Sequence, residues 1–340
     1  MDLTTQIVRA DQVELAANFL QQGECVAFPT ETVYGLGANA LDEVAVHKIF
    51  KAKGRPADNP LIVHCYNSLQ IASLVKPYSS RVQALMDRFW PGPLSLILPK
   101  TSRVPAVVSG GLDTVAVRVP NHPLALQLLQ LATIPVAAPS ANVSGKPSPT
   151  RAEHVWRDLA GKIAAVLDGG STGWGLESTV IDCTCWPHRL LRPGGVTLEQ
   201  LQAVTEVAVD PGVYSDIFEK PRSPGMKYQH YAPDARVELV VGDHIQSTVK
   251  QLIQEKSKIY KRIGVMAVSE HVHAYLNVSV LDMGSQHDMR AIASSIYHLL
   301  RTADELELEY VIVEGLPETE MGMAIMNRLR KAAAYRIIIS

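Results

Sequence analysis

The segment LDEVAVHKIFKAKGRPADNPLIVHC, residues 41–65, contains a helical pattern followed by a strand pattern. Its first half repeats apolar residues at the spacing of one helical face. This stretch lies between Asp42, a suitable N-cap, and Gly54, a residue suited to ending a helix. Residues 59–65 form an apolar run of the length expected for a buried strand. The segment therefore predicts a helix that ends in a short turn and leads into a strand.

The rest of the first 200 residues repeats this alternation. Apolar runs bounded by Gly, Pro or Asn predict further strands at 24–30, 94–100, 114–120, 134–140, 178–184 and 189–193. A Thr-x-x-Gln capping box at Thr197 marks the start of another helix. Strands interleaved with helices indicate an α/β domain, and the prolines at the strand ends argue against a purely parallel sheet.

A second α/β unit is predicted after residue 236. Strand patterns at 237–242, 262–268, 278–283 and 308–315 alternate with helical patterns at 244–257, 288–304 and 323–335. Helices of this length between strands predict a small parallel, Rossmann-like sheet. No Gly-x-Gly-x-x-Gly turn accompanies it, so the sequence does not support dinucleotide binding.

Residues 206–236 separate the two predicted domains, which span 1–205 and 237–340. This stretch lacks periodicity and is rich in Pro and Gly, as is typical of a linker. Its segment SPGMKYQHYAP, residues 223–233, also holds two tyrosines, a histidine and a lysine. Because simple linkers are polar and repetitive, we expect this segment to pack back onto a site.

The composition is that of an ordinary folded protein. Of the 340 residues, 47% are apolar and 19% are charged, and the formal net charge is −2. A near-neutral chain has no global field that attracts nucleic acid, so any anion-binding site has to be local. The four cysteines lack zinc-ligand spacing, and no apolar stretch reaches about 18 residues. We therefore expect a reduced, cytoplasmic protein without a metal site, a secretion signal or a membrane span.

A cluster of cations surrounds the end of the first predicted helix: Lys51, Lys53 and Arg55. The two lysines complement the negative end of the helix dipole, which by itself explains them. Arg55 lies beyond that last turn, next to Pro56, so the dipole does not account for it. A lysine and an arginine on a rigid turn combine a point charge with a planar fork, which suits a polyphosphate.

Two other segments combine polar side chains with glycine. PTETVYGLGANA, residues 29–40, offers hydroxyl, carboxyl and phenol groups before Gly35 and Gly37, whose missing side chains permit close approach to the backbone. VAAPSANVSGKPSPT, residues 136–150, places hydroxyl and amide groups after a strand, where α/β sheets tend to bind ligands. Either segment alone is compatible with a capped turn or an ordinary loop. Their co-occurrence favours a small-molecule pocket.

Arg118 lies in the otherwise apolar strand at 114–120, where a guanidinium is costly without an anionic partner. A buried Asp or Glu would satisfy it, and so would the carboxylate of an incoming amino acid. Arg192 lies at another strand end, where it is available to a phosphate. No P-loop, kinase, zinc-protease or hydrolase-elbow motif accompanies these residues, so any nucleotide chemistry uses another scaffold.

In these motifs the chain resembles the Sua5/YrdC/YwlC family, and its two-domain length resembles that of Sua5-type members. The resemblance covers nearly the whole chain. It is carried by PTETVYGLG (29–37), Lys53 and Arg55 in KGRP, NPLIVH (59–64), Ser140 with Asn142, SPGMKYQHYAP (223–233) and GMAIMNRLRKAA (322–333). The resemblance implies a YrdC-like, twisted mixed-sheet α/β domain followed by a smaller Rossmann-like Sua5 domain.

The same resemblance implies a nucleotidyltransferase that acts on L-threonine, bicarbonate and ATP, with Mg²⁺ accompanying the nucleotide. N-carboxy-threonine would attack the α-phosphate to give threonylcarbamoyl-adenylate and pyrophosphate. A separate transferase complex would then use this product to modify adenosine 37 of tRNA. The segment 223–233 would serve as a lid over intermediates that decompose in water.

Site residues follow from the resemblance, motif by motif. Catalytic roles are implied for Lys53, Arg55, Ser140 and Asn142. The implied threonine pocket is lined by Thr32, Tyr34, His64, Arg118, Ala138 and Ser178. Implied ATP contacts come from Lys53, Arg55, Asn59, Thr114, Ser140, Asn142, Ser148, Arg192 and Tyr231.

Two other functions are weighed against this one. An RNA-binding module that positions tRNA normally shows a strongly basic balance or a stacking aromatic motif, which this chain lacks, although a weak tRNA contact stays open. A carbamoyl-transfer enzyme related to hydrogenase maturation proteins would be much larger and would carry Cys-x-x-Cys zinc motifs. For the second domain, regulation, support of the lid and dimerisation all stay open.

Overall fold

The computed structural model describes residues 4–214 and 231–340, which form two compact units. The first unit contains residues 4–144 and 148–214, and the second contains residues 145–147 and 231–340. Residues 223–230, most of the segment predicted to pack onto a site, lie outside the described part.

One sheet of eleven described strands forms the frame of the first unit. Its strands are β1 (Gln6–Val8), β2 (Val26–Phe28), β3 (Gly35–Asn39), β4 (Ile62–His64), β5 (Leu94–Pro99), β6 (Thr114–Arg118), β7 (Val136–Ala137), β8 (Ala165–Leu167), β9 (Thr179–Asp182), β10 (His188–Arg192) and β11 (Val207–Val209). They are ordered β1-β8-β2-β3-β7-β4-β6-β5-β9-β10-β11. Because β4 runs parallel to β6 and antiparallel to β7, the predicted mixed sheet is confirmed.

The helices of the first unit lie between these strands along the chain. They are α1 (Val13–Gln21), α2 (Glu43–Lys53), α3 (Ser68–Ala72), α4 (Ser80–Phe89), α5 (Ala106–Ser109), α6 (Pro123–Ala132), α7 (Ala152–Leu159) and α8 (Leu198–Gln202). Apolar side chains of α1, α6, β2 and β8, among them Leu20, Phe28 and Leu128, form one buried core. This core supports the strand ends that carry the predicted site.

Helix α2 begins and ends as the sequence predicts. The Asp42 carboxylate accepts hydrogen bonds from the backbone N–H groups of Val44 at 2.9 Å and Ala45 at 3.2 Å. Gly54 adopts the left-handed conformation, with φ of 61°, that suits a residue without a side chain. The predicted strand after this turn is β4, so the order of helix, turn and strand is confirmed.

Strand β3 is absent from the sequence prediction, because GLGAN lacks the branched residues of a typical strand. It pairs with β2 and β7. A Cβ atom at Gly37 would lie 2.7 Å from a methyl group of Val136 and 2.9 Å from the ring of Phe28. The close approach that Gly37 permits is therefore between neighbouring strands, which corrects the expectation that it admits a ligand.

The second unit contains a smaller sheet of five described strands. These are β12 (Arg236–Val241), β13 (Ile263–Ala267), β14 (Ser279–Asp282), β15 (Tyr310–Glu314) and β16 (Ile337–Ile339). Its helices are α9 (Ile245–Lys256), α10 (Met289–Glu305) and α11 (Met321–Ala332). The strands are ordered β14-β13-β15-β12-β16 and every described pair is parallel, so the predicted parallel α/β sheet is confirmed.

The strand order of this second sheet differs from that of dinucleotide-binding folds. There the first two strands are neighbours, whereas β15 lies between β12 and β13 here. The difference agrees with the missing glycine-rich turn in the sequence.

Strand β11 lies inside the stretch 206–236 that the sequence predicts as a linker, and it pairs with β10 in the first sheet. The first unit thus continues past residue 205.

Among residues 4–214 and 231–340, no helix is both long and apolar enough to cross a lipid bilayer.

Candidate active site

The carboxyl ends of β4 and β6 carry two residues of the predicted threonine pocket. His64 and Arg118 are in register on these parallel strands. Thr32, which follows β2, accepts a hydrogen bond at its Oγ1 from Arg118 Nη1 at 3.0 Å. Ala138 follows β7 and donates its N–H to the Ile62 carbonyl at 2.9 Å. The structure therefore brings together four of the six predicted threonine residues.

Arg118 is buried, with 3% of its surface exposed, and its guanidinium contacts three oxygen atoms. Besides Thr32, it donates from Nε to the Gly92 carbonyl at 3.1 Å, and its Nη2 lies 2.6 Å from Glu31 Oε1. The sequence left open whether Arg118 is matched by a buried acid or by the carboxylate of a bound amino acid. The structure shows a buried acid, Glu31. Glu31 supplies the carboxyl group of the predicted PTETVYGLGANA pocket, although it was not among the residues that the resemblance implied for threonine or ATP.

His64 is buried next to this cation. Burial, together with the positive charge of Arg118, lowers the pKa of His64 to about 3. Its Nδ1 lies 3.3 Å from the Ile62 carbonyl, and its ring meets the Phe28 ring edge-on at 5.9 Å. His64 is therefore neutral near pH 7 and offers hydrogen bonding without charge.

Tyr34 is fully buried and its hydroxyl group is held by a turn. The hydroxyl donates to the Gly170 carbonyl at 2.7 Å and accepts from the Gly169 N–H at 3.1 Å. Burial raises the pKa of the Tyr34 phenol above its ordinary value. Tyr34 thus fixes the turn after β8 to the strand that follows PTET, which fits its predicted role in shaping the cavity.

Ser178, which immediately precedes β9, and Arg192, the last residue of the neighbouring strand β10, form a buried pair. Arg192 donates from Nε to the Ser178 carbonyl at 3.0 Å and from Nη2 to Ser178 Oγ at 3.1 Å. Ser178 Oγ also lies 2.8 Å from Ser95 Oγ. A residue predicted to bind the substrate threonine is therefore in direct contact with one predicted to bind ATP.

Lys53, at the end of α2, contacts the predicted catalytic loop. Its Nζ donates to the carbonyl oxygens of Ser140 and Asn142 at 2.5 Å each, and its own carbonyl accepts from the Ser144 N–H at 2.9 Å. Lys53 as a whole is 2% exposed, whereas Lys51 is exposed, as expected for a solvated cation. Lys53 therefore ties the helix to this loop.

Two further predicted ATP residues lie at the amino ends of the same strand pair. Asn59 precedes β4, and Thr114 begins β6. Asn59 is fully buried, and its amide atoms have no hydrogen-bond partner within the described residues. Arg55 donates from Nη2 toward the carbonyls of Asn59 and Pro60 at 3.4 and 3.3 Å. Asn59 lies five residues before His64 and Thr114 lies four residues before Arg118, a separation of about 13–16 Å at roughly 3.3 Å per residue.

Ser148 is fully buried and donates a hydrogen bond to Glu177 Oε1 at 2.5 Å. Glu177 is a second buried acid that the sequence prediction missed. Since it immediately precedes Ser178, an acid next to a predicted site residue was the available signal.

Tyr231 belongs to the second unit, where its ring lies 5.1 Å from the ring of Tyr297. Its predicted contact with ATP stays a prediction.

Within the described residues, no group of three or more His, Cys, Asp or Glu side chains is arranged to hold a metal ion.

Comparison with known proteins places these motifs in a family. A family model for Sua5, YciO and YrdC proteins, described as "Telomere recombination", matches residues 18–194. A model described as "Threonylcarbamoyl-AMP synthase, C-terminal domain" matches residues 196–334. Together they cover the strand ends described above and the second sheet apart from β16.

Individual relatives match the chain over nearly its whole length. The threonylcarbamoyl-AMP synthase of Pyrococcus abyssi is 49% identical over 96% of this chain and 95% of its own. That of Bacillus subtilis is 49% identical over 99% of this chain and 98% of its own. A solved structure of P. abyssi Sua5 complexed with L-threonine matches with a TM-score of 0.93 and 48% identity, and covers 99% of both chains. The protein therefore belongs to the Sua5/YrdC family, in its two-domain form.

Proposed function

We propose that the protein is an L-threonylcarbamoyladenylate synthase. The amine of L-threonine combines with bicarbonate to give N-carboxy-threonine and water. A carboxylate oxygen of this carbamate then bonds to the α-phosphorus of ATP while the bond to pyrophosphate breaks. The observation that carries the proposal is the buried group of Thr32, His64 and Arg118, in a chain that matches a threonine-bound relative over nearly its whole length.

The charges around Arg118 suit a zwitterionic amino acid. Arg118 offers a guanidinium to the substrate carboxylate, and Glu31, 2.6 Å away, offers a carboxylate to the substrate ammonium. Neutral His64 is able to accept a hydrogen bond from the threonine hydroxyl without adding a second positive charge. Thr32 helps to hold Arg118 in place by accepting a hydrogen bond from its other terminal nitrogen, Nη1.

ATP, carrying Mg²⁺ as part of the substrate, would extend toward the amino ends of β4 and β6. Adenylyl transfer requires positioning and neutralisation of phosphate charge more than covalent chemistry. Arg55 and Arg192 supply cations, Asn59 supplies a buried amide, and Lys53 fixes the Ser140–Asn142 loop. The described residues hold no acidic cage, in keeping with an ion bound mainly by phosphate oxygens and water.

Threonylcarbamoyl-adenylate is a reactive mixed anhydride, so a second protein has to consume it. We infer that a tRNA threonylcarbamoyl-transferase complex in the cytoplasm is this consumer and that adenosine 37 is the acceptor. With a net charge of −2, the chain itself has little electrostatic attraction for tRNA.

Omission of single components tests the proposal. The purified protein is incubated with ATP, Mg²⁺, bicarbonate and L-threonine, and both pyrophosphate and the adenylate are measured while each component is left out in turn. We expect product only in the complete mixture. Pyrophosphate release that does not depend on threonine would contradict the proposal.

A charge reversal with a matched control sharpens this test. Arg55→Glu should abolish adenylate formation in a folded protein, because it places a negative charge at the predicted triphosphate site. Lys51→Glu, a reversal four residues earlier on an exposed side chain, should retain nearly full activity. Full activity of folded Arg55→Glu would show that this arginine does not contact the nucleotide.

A further inference from the structure

A cavity of about 480 Å³ lies within the second unit, far along the chain from the residues of the proposed synthase site. Its lining comes from the ends of β12 and β15, from the segments that follow β12, β13, β14 and β15, from the first residue of α9 and from Met326 of α11. The volume is within the range of small-molecule sites, about 300–1,000 Å³. Met326 belongs to the segment GMAIMNRLRKAA, which the synthase reaction leaves without a role.

The strand order places this cavity at a crevice in the sheet. After β13 the chain continues to β14 at one edge, and after β15 it continues to β16 at the other edge. Since β13 and β15 are neighbours, their connections leave in opposite directions at their carboxyl ends. Open α/β sheets bind ligands at such a switch point. Val268 and Glu314, which line the cavity, lie at the carboxyl ends of these two strands.

Glu314 anchors one wall of the cavity. Its buried carboxylate accepts hydrogen bonds from the Val268 N–H at 3.0 Å, from His271 Nδ1 at 3.0 Å and from the Tyr275 hydroxyl. This orients the imidazole of His271, which also lines the cavity. Because Nδ1 is engaged with Glu314, Nε2 is the ring atom that His271 offers to a ligand.

The loop that follows β15 is held by close backbone packing, so this part of the cavity is formed before any ligand arrives. A Cβ atom at Gly322 would lie 1.9 Å from the Pro317 carbonyl, and one at Gly315 would lie 2.7 Å from the Val240 carbonyl. The Leu316 N–H donates to the Met326 sulfur at 3.2 Å. Such packing fixes the loop after β15 against β12 and α11.

The charges of the lining exclude anions. Among the described residues that line the cavity, none is a lysine or an arginine, and three are acidic: Asp243, Glu314 and Glu318. Glu318 is paired with Arg330, whose Nη1 lies 2.7 Å from Oε2, and Glu314 accepts a hydrogen bond from Nδ1 of the His271 ring. A phosphate group would meet uncompensated negative charge at Asp243. The remaining lining is mostly apolar, which suits an uncharged ligand with an apolar surface.

We propose that the crevice between β13 and β15 of the second domain binds an uncharged small molecule with hydrogen-bond donors and an apolar body, of which an unphosphorylated nucleoside is the test case. The donors would meet His271 Nε2 and the Asp243 carboxylate, and the body would pack against Val268, Leu316 and Met326. This site goes beyond the proposed synthase function and does not depend on it.

Methyl NMR of the full-length protein tests the site. Methionine methyl groups are labelled with ¹³C, the Met326 signal is assigned with Met326→Leu, and adenosine and AMP are titrated separately. We expect adenosine to shift the Met326 signal in a saturable manner, and AMP to bind this site at least about ten-fold more weakly, equivalent to about 1.4 kcal/mol. Equal shifts by the two ligands, or no shift by adenosine, would overturn the proposal.

Two variants distinguish this cavity from any other nucleoside site. Ile245→Trp fills the cavity from the first residue of α9, and His271→Ala removes the ring acceptor. Each should weaken the adenosine effect on Met326 about ten-fold or more, whereas Ile259→Trp, at an exposed position of the same unit, should leave it unchanged. Thermal melting shows whether each variant is folded. If Ile245→Trp does not fold, His271→Ala alone provides the test. An unchanged adenosine effect in folded His271→Ala would place binding elsewhere and overturn the proposal.

Discussion

The buried lysine and arginine side chains described in the first unit are each matched by specific oxygen partners. Arg118 meets Glu31, Lys53 meets two carbonyl groups, and Arg192 meets Ser178. Burial of a cation without such partners costs several kcal/mol, so these contacts are conditions for folding as well as features of a site. The consequences can be measured one residue at a time.

Loss of Glu31 should destabilise the protein strongly. Glu31→Ala leaves the Arg118 guanidinium buried without its anion, and we expect the free energy of unfolding to fall by about 3–5 kcal/mol in urea titrations. Asp11→Ala, which removes the acid of the exposed Arg9–Asp11 pair, should cost less than about 1 kcal/mol. If the two variants were equally stable, Glu31 would not be the partner of Arg118.

Acid should destabilise the protein through His64. The pKa of this residue is about 3 in the folded state because of burial and Arg118, against about 6.5 in an unfolded chain. Below pH 6.5 the unfolded chain therefore takes up a proton that the folded protein rejects, and stability falls as pH falls. Between pH 6.5 and 5 this one group should cost about 2 kcal/mol.

The free energy of unfolding, measured from pH 7 to 5, tests the predicted loss of stability in acid. The loss of stability over this pH range should be about 2 kcal/mol smaller in His64→Gln than in the wild-type chain. This comparison holds even if the two proteins differ in stability at pH 7. His47→Gln, at an exposed position, should follow the wild-type curve. A parallel curve for His64→Gln would show that His64 titrates normally in the folded state.

Among the elements, β3 best shows how packing overrides local propensity. Its glycines are poor strand formers, yet β3 joins β2 to β7 and so connects PTET to the Ser140 loop. The strand exists because its neighbours supply paired backbone groups and because their side chains occupy the space above Gly37.

Gly37→Ala should therefore destabilise the first unit by overpacking. The added methyl group would lie within 3 Å of both Val136 and Phe28, and such crowding typically costs about 1–3 kcal/mol. Gly173→Ala is a matched control, because the nearest atom to its added methyl group is 3.7 Å away. Equal unfolding midpoints for the two variants would show that the sheet relaxes around residue 37 without cost.

At the scale of the whole molecule, the four cysteines are free, and their burial reports on unfolding. Cys25 and Cys65 are at most 2% exposed, and burial raises the pKa of the Cys25 thiol to about 12. Both should react with a thiol reagent only when the first unit unfolds, whereas the partly exposed Cys185 should react in the native protein.

Mass spectrometry of the labelled sites, followed in increasing urea, checks this order. Labelling of Cys25 and Cys65 should rise together at the unfolding transition, because both lie in one compact unit. Early labelling of Cys65 alone would indicate that β4 and its flanking turn open locally.

Local patterns in the sequence were sufficient for the elements and for the two α/β units. The Asp42 cap, the Gly54 stop and the apolar runs of β4, β6 and β12 depend on neighbouring residues, so their positions were predictable. The residue types of the site were also predictable, because polar side chains follow apolar strand patterns in the sequence. The unpredicted elements, such as β1, β3 and β8, are short or glycine-rich and owe their existence to pairing with distant strands.

By itself, the sequence determined the fold class, the family and the residues capable of binding an amino acid and a nucleotide. Only the tertiary structure decided that Arg118 is matched by Glu31, that Lys53 contacts the loop carbonyls, and that the second sheet contains a crevice between β13 and β15. The physical reason is separation along the chain: Arg118 meets Thr32 across 86 residues and Lys53 meets Asn142 across 89. Contacts of that span leave no periodic signal, because they depend on which strands become neighbours.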